Sequence, residues 1–158
     1  MKIRPAVQED VREMMEIFNY EARNSTASFT ITEQSYEERL AWFRSHGGER
    51  HPLIAAEQDG RVAGYACLSD YRPYEAYKGT AELSVYVSRD FRRRGIGEAL
   101  MRELLDMARS LSLIHISLKA NKFHTCRPRS VFCDVHAAAK NGLHFICRLR
   151  AANSARLF

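Results

Sequence analysis

Long apolar runs are missing from this 158-residue chain. None approaches the length a membrane span needs, and the opening MKIRPAVQED lacks the apolar core of a secretory leader. A cytoplasmic protein with no membrane partner is the expectation. Cysteine is sparse, four residues with no Cys-x2-Cys pair, which argues against a standard zinc finger and against a disulfide framework. There is no internal repeat and no low-complexity segment. A Gly-Lys-Ser/Thr run is absent, and with it the phosphate loop of nucleotide hydrolases. What is present is ordinary for a globular domain: 46% hydrophobic and 27% charged residues, in a length that suits one core rather than two.

Acidic residues are almost missing from the last third. Residues 1–110 hold 16 of the 24 Lys and Arg and 18 of the 19 Asp and Glu, so they carry −2, whereas residues 111–158 carry +7. Three of the four cysteines and four of the six histidines lie in that tail, and every tyrosine and the single Trp42 precede it. The two parts do not share one composition.

Lys2 to Pro5 reads as a short strand. Val7, Val11, Met14, Met15, Phe18 and Ala22 then recur at helical spacing through about Arg23. Small polar residues from Asn24 to Ser28 break that helix, and Ser35-x-x-Glu38 forms a capping box for another helix carrying Tyr36, Leu40 and Phe43. PLIAAE (52–57) and RVAGYACL (61–68) are β-rich runs joined around Asp59-Gly60, a hairpin signal. A Tyr-rich loop leads to a strand from Thr80 to Val87, and Ile96, Leu100, Met101, Leu104, Leu105 and Ala108 face one side of a further helix.

Between that strand and helix stands RRRGIGEAL (92–100). Gly95 and Gly97 let the backbone turn with its N–H groups outward, and a helix opening directly behind adds the positive end of its dipole. The corner suits an anionic phosphate. A dinucleotide fold would need a third glycine where Leu100 stands, and would place the motif after the first strand.

Arg92-x-x-Gly95-x-Gly97 after Val85-Tyr-Val87 resembles the acetyl-CoA loop of the GNAT superfamily of N-acetyltransferases. Asn19-Tyr20, Ser25 to Phe29, Ala55 to Gly60, Val62-Ala-Gly64, Ala76-Tyr77 and Thr80-Ala-Glu-x-x-Val-Tyr-Val87 resemble its phosphinothricin and methionine sulfoximine acetyltransferase branch. The resemblance covers roughly residues 1–110. It implies an α/β (α+β) fold with a mixed, mainly antiparallel central sheet flanked by helices. It also implies acetyl-CoA as cosubstrate, no metal, and a small-molecule amine as acceptor, such as an amino acid or analogue. The backbone of Val85, Tyr86 and Val87 would bond the pantetheine arm, and N–H groups of Arg93, Arg94, Gly95, Ile96, Gly97 and Glu98 would hold the pyrophosphate. Arg92 stands at the family's Gln/Arg position. A homodimer is one option.

Acetyl transfer to an amine needs a neutral nitrogen, so a base must first take a proton from the ammonium form. Glu82, a carboxylate in an otherwise apolar strand, is the candidate, since partial desolvation there would raise its pKa; the resemblance places the general base at the same residue. An N–H near Val85 would stabilise the oxyanion. Phe29 would wall the acceptor pocket, with Thr26 and Tyr77 offering hydroxyls.

The resemblance stops near residue 110. The family continues with a strand, a turn, a helix and two closing strands, and many members carry a thiolate-protonating Tyr; this tail has no tyrosine. Leu113 to Leu118 reads as a strand, RPRSVFCDVH (127–136) as a short strand and AAAKNGLHF (137–145) as a short helix. LSLIHIS (111–117) resembles the translation of a transposon end sequence, so a chimeric or out-of-frame tail is the leading reading of residues 111–158, which are assigned no separate domain. The sheet edge would then stay open and the chain as written would be inactive or nearly so. The competing class is a non-catalytic nucleic-acid-binding module built on His124, Cys126, Cys133, His136, His144 and Cys147 of the basic tail.

Overall fold

The computed structural model describes residues 1–24, 32–111, 115–119 and 144–147. Its elements are β1 (Lys2–Pro5), α1 (Val11–Asn24), α2 (Tyr36–Arg44), β2 (Leu53–Gln58), β3 (Arg61–Asp70), β4 (Thr80–Val87), α3 (Ile96–Ser110), β5 (His115–Lys119) and β6 (His144–Cys147). One sheet runs β1-β2-β3-β4-β5-β6, antiparallel throughout except for the parallel β4–β5 pair. This is the mixed, mainly antiparallel sheet expected.

Local chemistry explains the punctuation. Ser35 Oγ accepts from the Glu38 N–H at 3.2 Å while Glu38 accepts from the Ser35 N–H at 2.7 Å, closing the capping box of α2. Asp59 and Gly60 take φ of 55° and 73°, the two left-handed residues that a tight hairpin between β2 and β3 requires. A bulge after the Ala56–Gly64 pair inserts Ala63 and changes which side chains face which layer. Val62, Tyr65 and Cys67 consequently pack with Met14 and Ile17 of α1, whereas Ala63, Ala66 and Leu68 pack with Leu100, Leu104 and Ala108 of α3. At Gly64 a Cβ would lie 2.7 Å from the Tyr86 carbonyl oxygen, so only glycine allows β3 and β4 to run this close.

Three expectations need correction. Val7 lies outside α1 and is exposed, because the chain first makes a 3-10 turn over Gln8–Asp10; Ile17 takes the place in the core that the periodicity gave to Val7 and Met15. In α2 the deeply buried residue is Arg39, not an apolar one. His144 and Phe145 belong to strand β6 rather than to a helix; β5 is described over His115–Lys119, and Leu113 lies outside the described residues. β5 pairs with β4, and β6 with β5, so part of the edge expected to be open is covered. The segment 127–136 lies outside the described residues.

Candidate active site

The site is built on β4 and the turn that follows it. Along β3 it is paired from Ala81–Asp70 to Val87–Gly64. On the other edge β5 accompanies it only from Thr80 to Ser84. Beyond Ser84 the edge at Val85, Tyr86 and Val87 has no strand partner among the described residues. Peptide groups left in this way are donors and acceptors for an extended, amide-bearing ligand.

The chain then passes through a 3-10 turn, Arg89–Phe91, into the arginine–glycine corner. Arg93 takes φ of +62° and Gly95 +77°, so two left-handed residues lie within three positions, and backbone N–H groups converge in an anion-binding concavity. Gly95 is the N-cap of α3, and no side chain caps it. The first-turn N–H groups of Ile96, Gly97 and Glu98 have no acceptor within the helix; the first intrahelical bond runs from the Ala99 N–H to the Gly95 carbonyl at 3.0 Å. Arg92, Arg93, Arg94 and Gly95 are exposed. A Cβ at Gly97 would sit 3.4 Å from Val87 Cγ2 and 3.9 Å from Val85 Cγ1, so its absence keeps the space between helix start and strand open.

The arginine side chains divide their work. Arg92 pairs with Glu21 of α1 and lies over the Tyr20 ring, 5.7 Å from its centre. Arg94 lies 5.3 Å over Phe91. The corner therefore offers backbone N–H groups first, which is the geometry for a phosphate pair.

Strand alternation places Val85 and Val87 against the α3 core and Glu82, Ser84 and Tyr86 on the opposite face, under α1 and α2. Glu82 is half-buried and stands across from Ser69; Ser84 faces Cys67, and Tyr86 faces Tyr65. Burial pushes the Tyr86 phenol up to about 12, so it stays protonated near neutrality. Glu82 is thus on the strand that carries the open edge, on the face where α1 and α2 form a wall.

That wall holds a feature the sequence reading missed. Arg39 is 2% exposed, its guanidinium 3.7 Å over Trp42, 4.8 Å over Phe18 and 5.1 Å over Tyr65. It donates to the Tyr65 hydroxyl at 2.5 Å and to Gln34 Oε1 at 3.2 Å. Asn19 in turn exchanges two 2.9 Å bonds with the backbone of Gln34. A signal existed, since Arg39 stands three residues before Trp42 and four before Phe43, but an arginine in a helix ordinarily reads as solvated.

Tyr77 ends a 3-10 turn, Glu75–Tyr77, just before β4 and is 40% exposed. It meets Tyr71 at 5.4 Å and Tyr74 at 6.4 Å between ring centroids, so the loop presents three tyrosines at the Glu82 end of the strand. Thr26 and Phe29 lie outside the described residues. Among the described residues no group of His, Cys, Asp and Glu could hold a metal ion, and no helix is long and apolar enough to cross a membrane.

Comparison with known proteins agrees with the geometry. A family model described as the acetyltransferase (GNAT) family matches residues 13–126. The chain is 37% identical over 119 residues to an L-methionine sulfoximine/L-methionine sulfone acetyltransferase of Pseudomonas paraeruginosa, covering 75% of this chain and 69% of that protein. It is 32% identical over 109 residues to a phosphinothricin N-acetyltransferase of Streptomyces coelicolor, covering 67% and 64%. A crystal structure of a GNAT superfamily phosphinothricin acetyltransferase from Sinorhizobium meliloti in complex with AcCoA superposes with a TM-score of 0.71 at 32% identity, covering 74% of this chain and 64% of that one. A family model spanning 13–126 embraces both the β4 strand and the uncapped helix behind it, and on that match the chain belongs to the GNAT family of acetyltransferases.

Proposed function

We propose that the chain moves the acetyl group of acetyl-CoA to the α-amine of a small amino acid or amino-acid analogue, of the kind named for its Pseudomonas and Streptomyces relatives. The observation that carries this is the junction of two backbone surfaces: the β4 edge at Val85–Val87, which has no strand partner among the described residues, and the start of α3 at Gly95, which no side chain caps. An amide-rich arm and a pyrophosphate are joined in that order in coenzyme A. In this reading the N–H groups from Arg93 to Glu98 take the pyrophosphate, with the dipole of α3 adding attraction, and the edge at Val85–Val87 takes the arm.

Glu82 is the general base. It takes a proton from the acceptor ammonium; the freed nitrogen lone pair attacks the thioester carbonyl, the carbon–sulfur bond breaks, and the thiolate takes up a proton. An N–H at Val85 stabilises the oxygen that becomes negative on the way. Tyr77 and its two tyrosine neighbours, together with Thr26 and Phe29, form the acceptor side.

Residues 111–158 we read as a segment of different origin from residues 1–110, on the strength of the charge break between them, although the family match runs on to residue 126 and β5 and β6 extend the sheet. Turnover is then low in the chain as it stands. The test is thiol release from acetyl-CoA with a panel of amino acids, beside a hybrid of residues 1–110 joined to the corresponding ending of the Pseudomonas relative. Faster release from the hybrid supports both readings; equal release assigns the tail a working role; no acceptor-dependent release from either removes the acetyltransferase reading.

A further inference from the structure

His46 stands just past the end of α2, after the C-cap Ser45. Its Nδ1 lies 2.9 Å from the Trp42 carbonyl oxygen and 3.1 Å from Ser45 Oγ, and its Nε2 lies 2.9 Å from Ser69 Oγ on β3. A carbonyl only accepts, so Nδ1 carries the hydrogen of the neutral ring, Nε2 holds a lone pair, and the Ser69 hydroxyl donates to it. A hydroxyl proton here has a base in place to receive it. Ser69 is also the cross-strand partner of Glu82. Such partners point to the same face, with Cβ atoms about 4.5–5.5 Å apart. Glu82, Ser69 and His46 therefore form a row leading from the β4 cleft toward the rim of the domain.

Resting on the reading of Glu82 as base, we infer that Ser69 and His46 are positioning residues that carry the proton of each turnover from Glu82 out to water. Converting an ammonium and a thioester into an amide and a thiol removes two protons from nitrogen; one ends on sulfur and the other leaves as net acid. The nitrogen–carbon bond forms, the carbon–sulfur bond breaks, and nothing is oxidised or reduced. The departing proton passes from the Glu82 carboxyl to Ser69 Oγ as the Ser69 proton passes to His46 Nε2. The imidazolium then releases a proton to solvent at the rim.

The charges around His46 suit a group that must not hold its proton. Burial keeps it below the usual histidine value, the Trp42 carbonyl partly opposes this, and the neighbouring His51 and Arg39 lower it further. The groups around it are Arg39 from α2, His51 with its ring centroid 6.1 Å away, and Asp70 at the end of β3, whose Oδ1 lies 3.2 Å from His51 Nε2; Glu82 of β4 stands one step further, as the register partner of Ser69. The ring is neutral near pH 7, with Nε2 ready to accept.

The test uses the full chain. His46→Ala is expected to lower kcat about tenfold to a hundredfold with the KM for acetyl-CoA unchanged, and added imidazole to restore part of it, which a purely structural role would not allow; imidazole does not restore Glu82→Gln. Histidine NMR, which needs no turnover, is expected to report the Nδ1–H form and a His46 midpoint that moves down in Glu82→Gln. Wild-type kcat and pH profile in His46→Ala, or a His46 midpoint unmoved in Glu82→Gln, overturns the relay. Near-normal turnover in Glu82→Gln overturns the base and the relay together; an inactive Glu82→Gln beside an unaffected His46→Ala overturns the relay alone.

Discussion

Tyr65 of β3 stacks on Tyr86 of β4, ring centroids 4.9 Å apart and planes 17° from parallel, while its hydroxyl accepts from the buried Arg39 of α2. One side chain thus ties the helical wall to the strand that carries both the open edge and Glu82. Tyr65→Phe keeps the stack and removes the hydroxyl. Arg39 is then left with a buried donor unpaired, and stability is expected to fall by about 1–3 kcal/mol. Arg39→Ala, which also empties the cage of Phe18, Trp42 and Tyr65, is expected to cost more. Urea melts of the two variants check the order.

The glycine corner separates two kinds of constraint. At Gly95 the left-handed φ of +77° strains any other side chain, so Gly95→Ala is expected to weaken acetyl-CoA binding although a Cβ there meets nothing within 4 Å. At Gly97 a Cβ makes only ordinary contact with Val87 and Val85. Gly97→Ala is expected to fold normally and Gly97→Val to block the approach. Thermal melts with and without acetyl-CoA distinguish the cases: the ligand-induced shift falls in Gly95→Ala, and is abolished in Gly97→Val while the unliganded melting point changes little.

Acid acts through Asp10. Burial would raise its carboxyl, but the Arg4 guanidinium, bonded at 2.7 and 2.9 Å, and the Val7 N–H at 2.9 Å outweigh that and hold it below the ordinary aspartate value. A carboxyl depressed in the folded state contributes stability that is present in full above the unfolded value and lost as pH falls through the folded one. The expected result is a loss of stability as pH falls below about 4 that is smaller in Asp10→Asn, which starts less stable at pH 7. Melting temperatures of the two chains from pH 7 to pH 2.5 measure it.

How far the sequence carried depends on which physics was local. Ser35-x-x-Glu38 and Asp59-Gly60 are short-range chemistry, and both appear where the residues require them. The corner at Gly95 was legible for the same reason, because a left-handed turn and a helix start are both written within a few residues. Three features depend on partners far away in the chain. The Ala63 bulge, the burial of Arg39 and the bond between His46 and Ser69 join residues whose meeting is set only by the pairing of β2, β3 and β4. Glu82 was picked out by the motif around it, and what the fold adds is its face and its neighbour Ser69.

Thiol release with acetyl-CoA and a methionine sulfoximine-type amino acid, measured for the full chain and for the hybrid with and without Glu82→Gln, alongside each protein's thermal shift with acetyl-CoA, tests the central claim most directly. The account predicts acceptor-dependent release from the full chain, slow because of its tail, a fall of about 10²–10⁴ in the hybrid carrying Glu82→Gln, and an acetyl-CoA shift that is the same with glutamate or glutamine at that position. Equal release with either residue, or no acetyl-CoA shift in the unaltered chain, would contradict it.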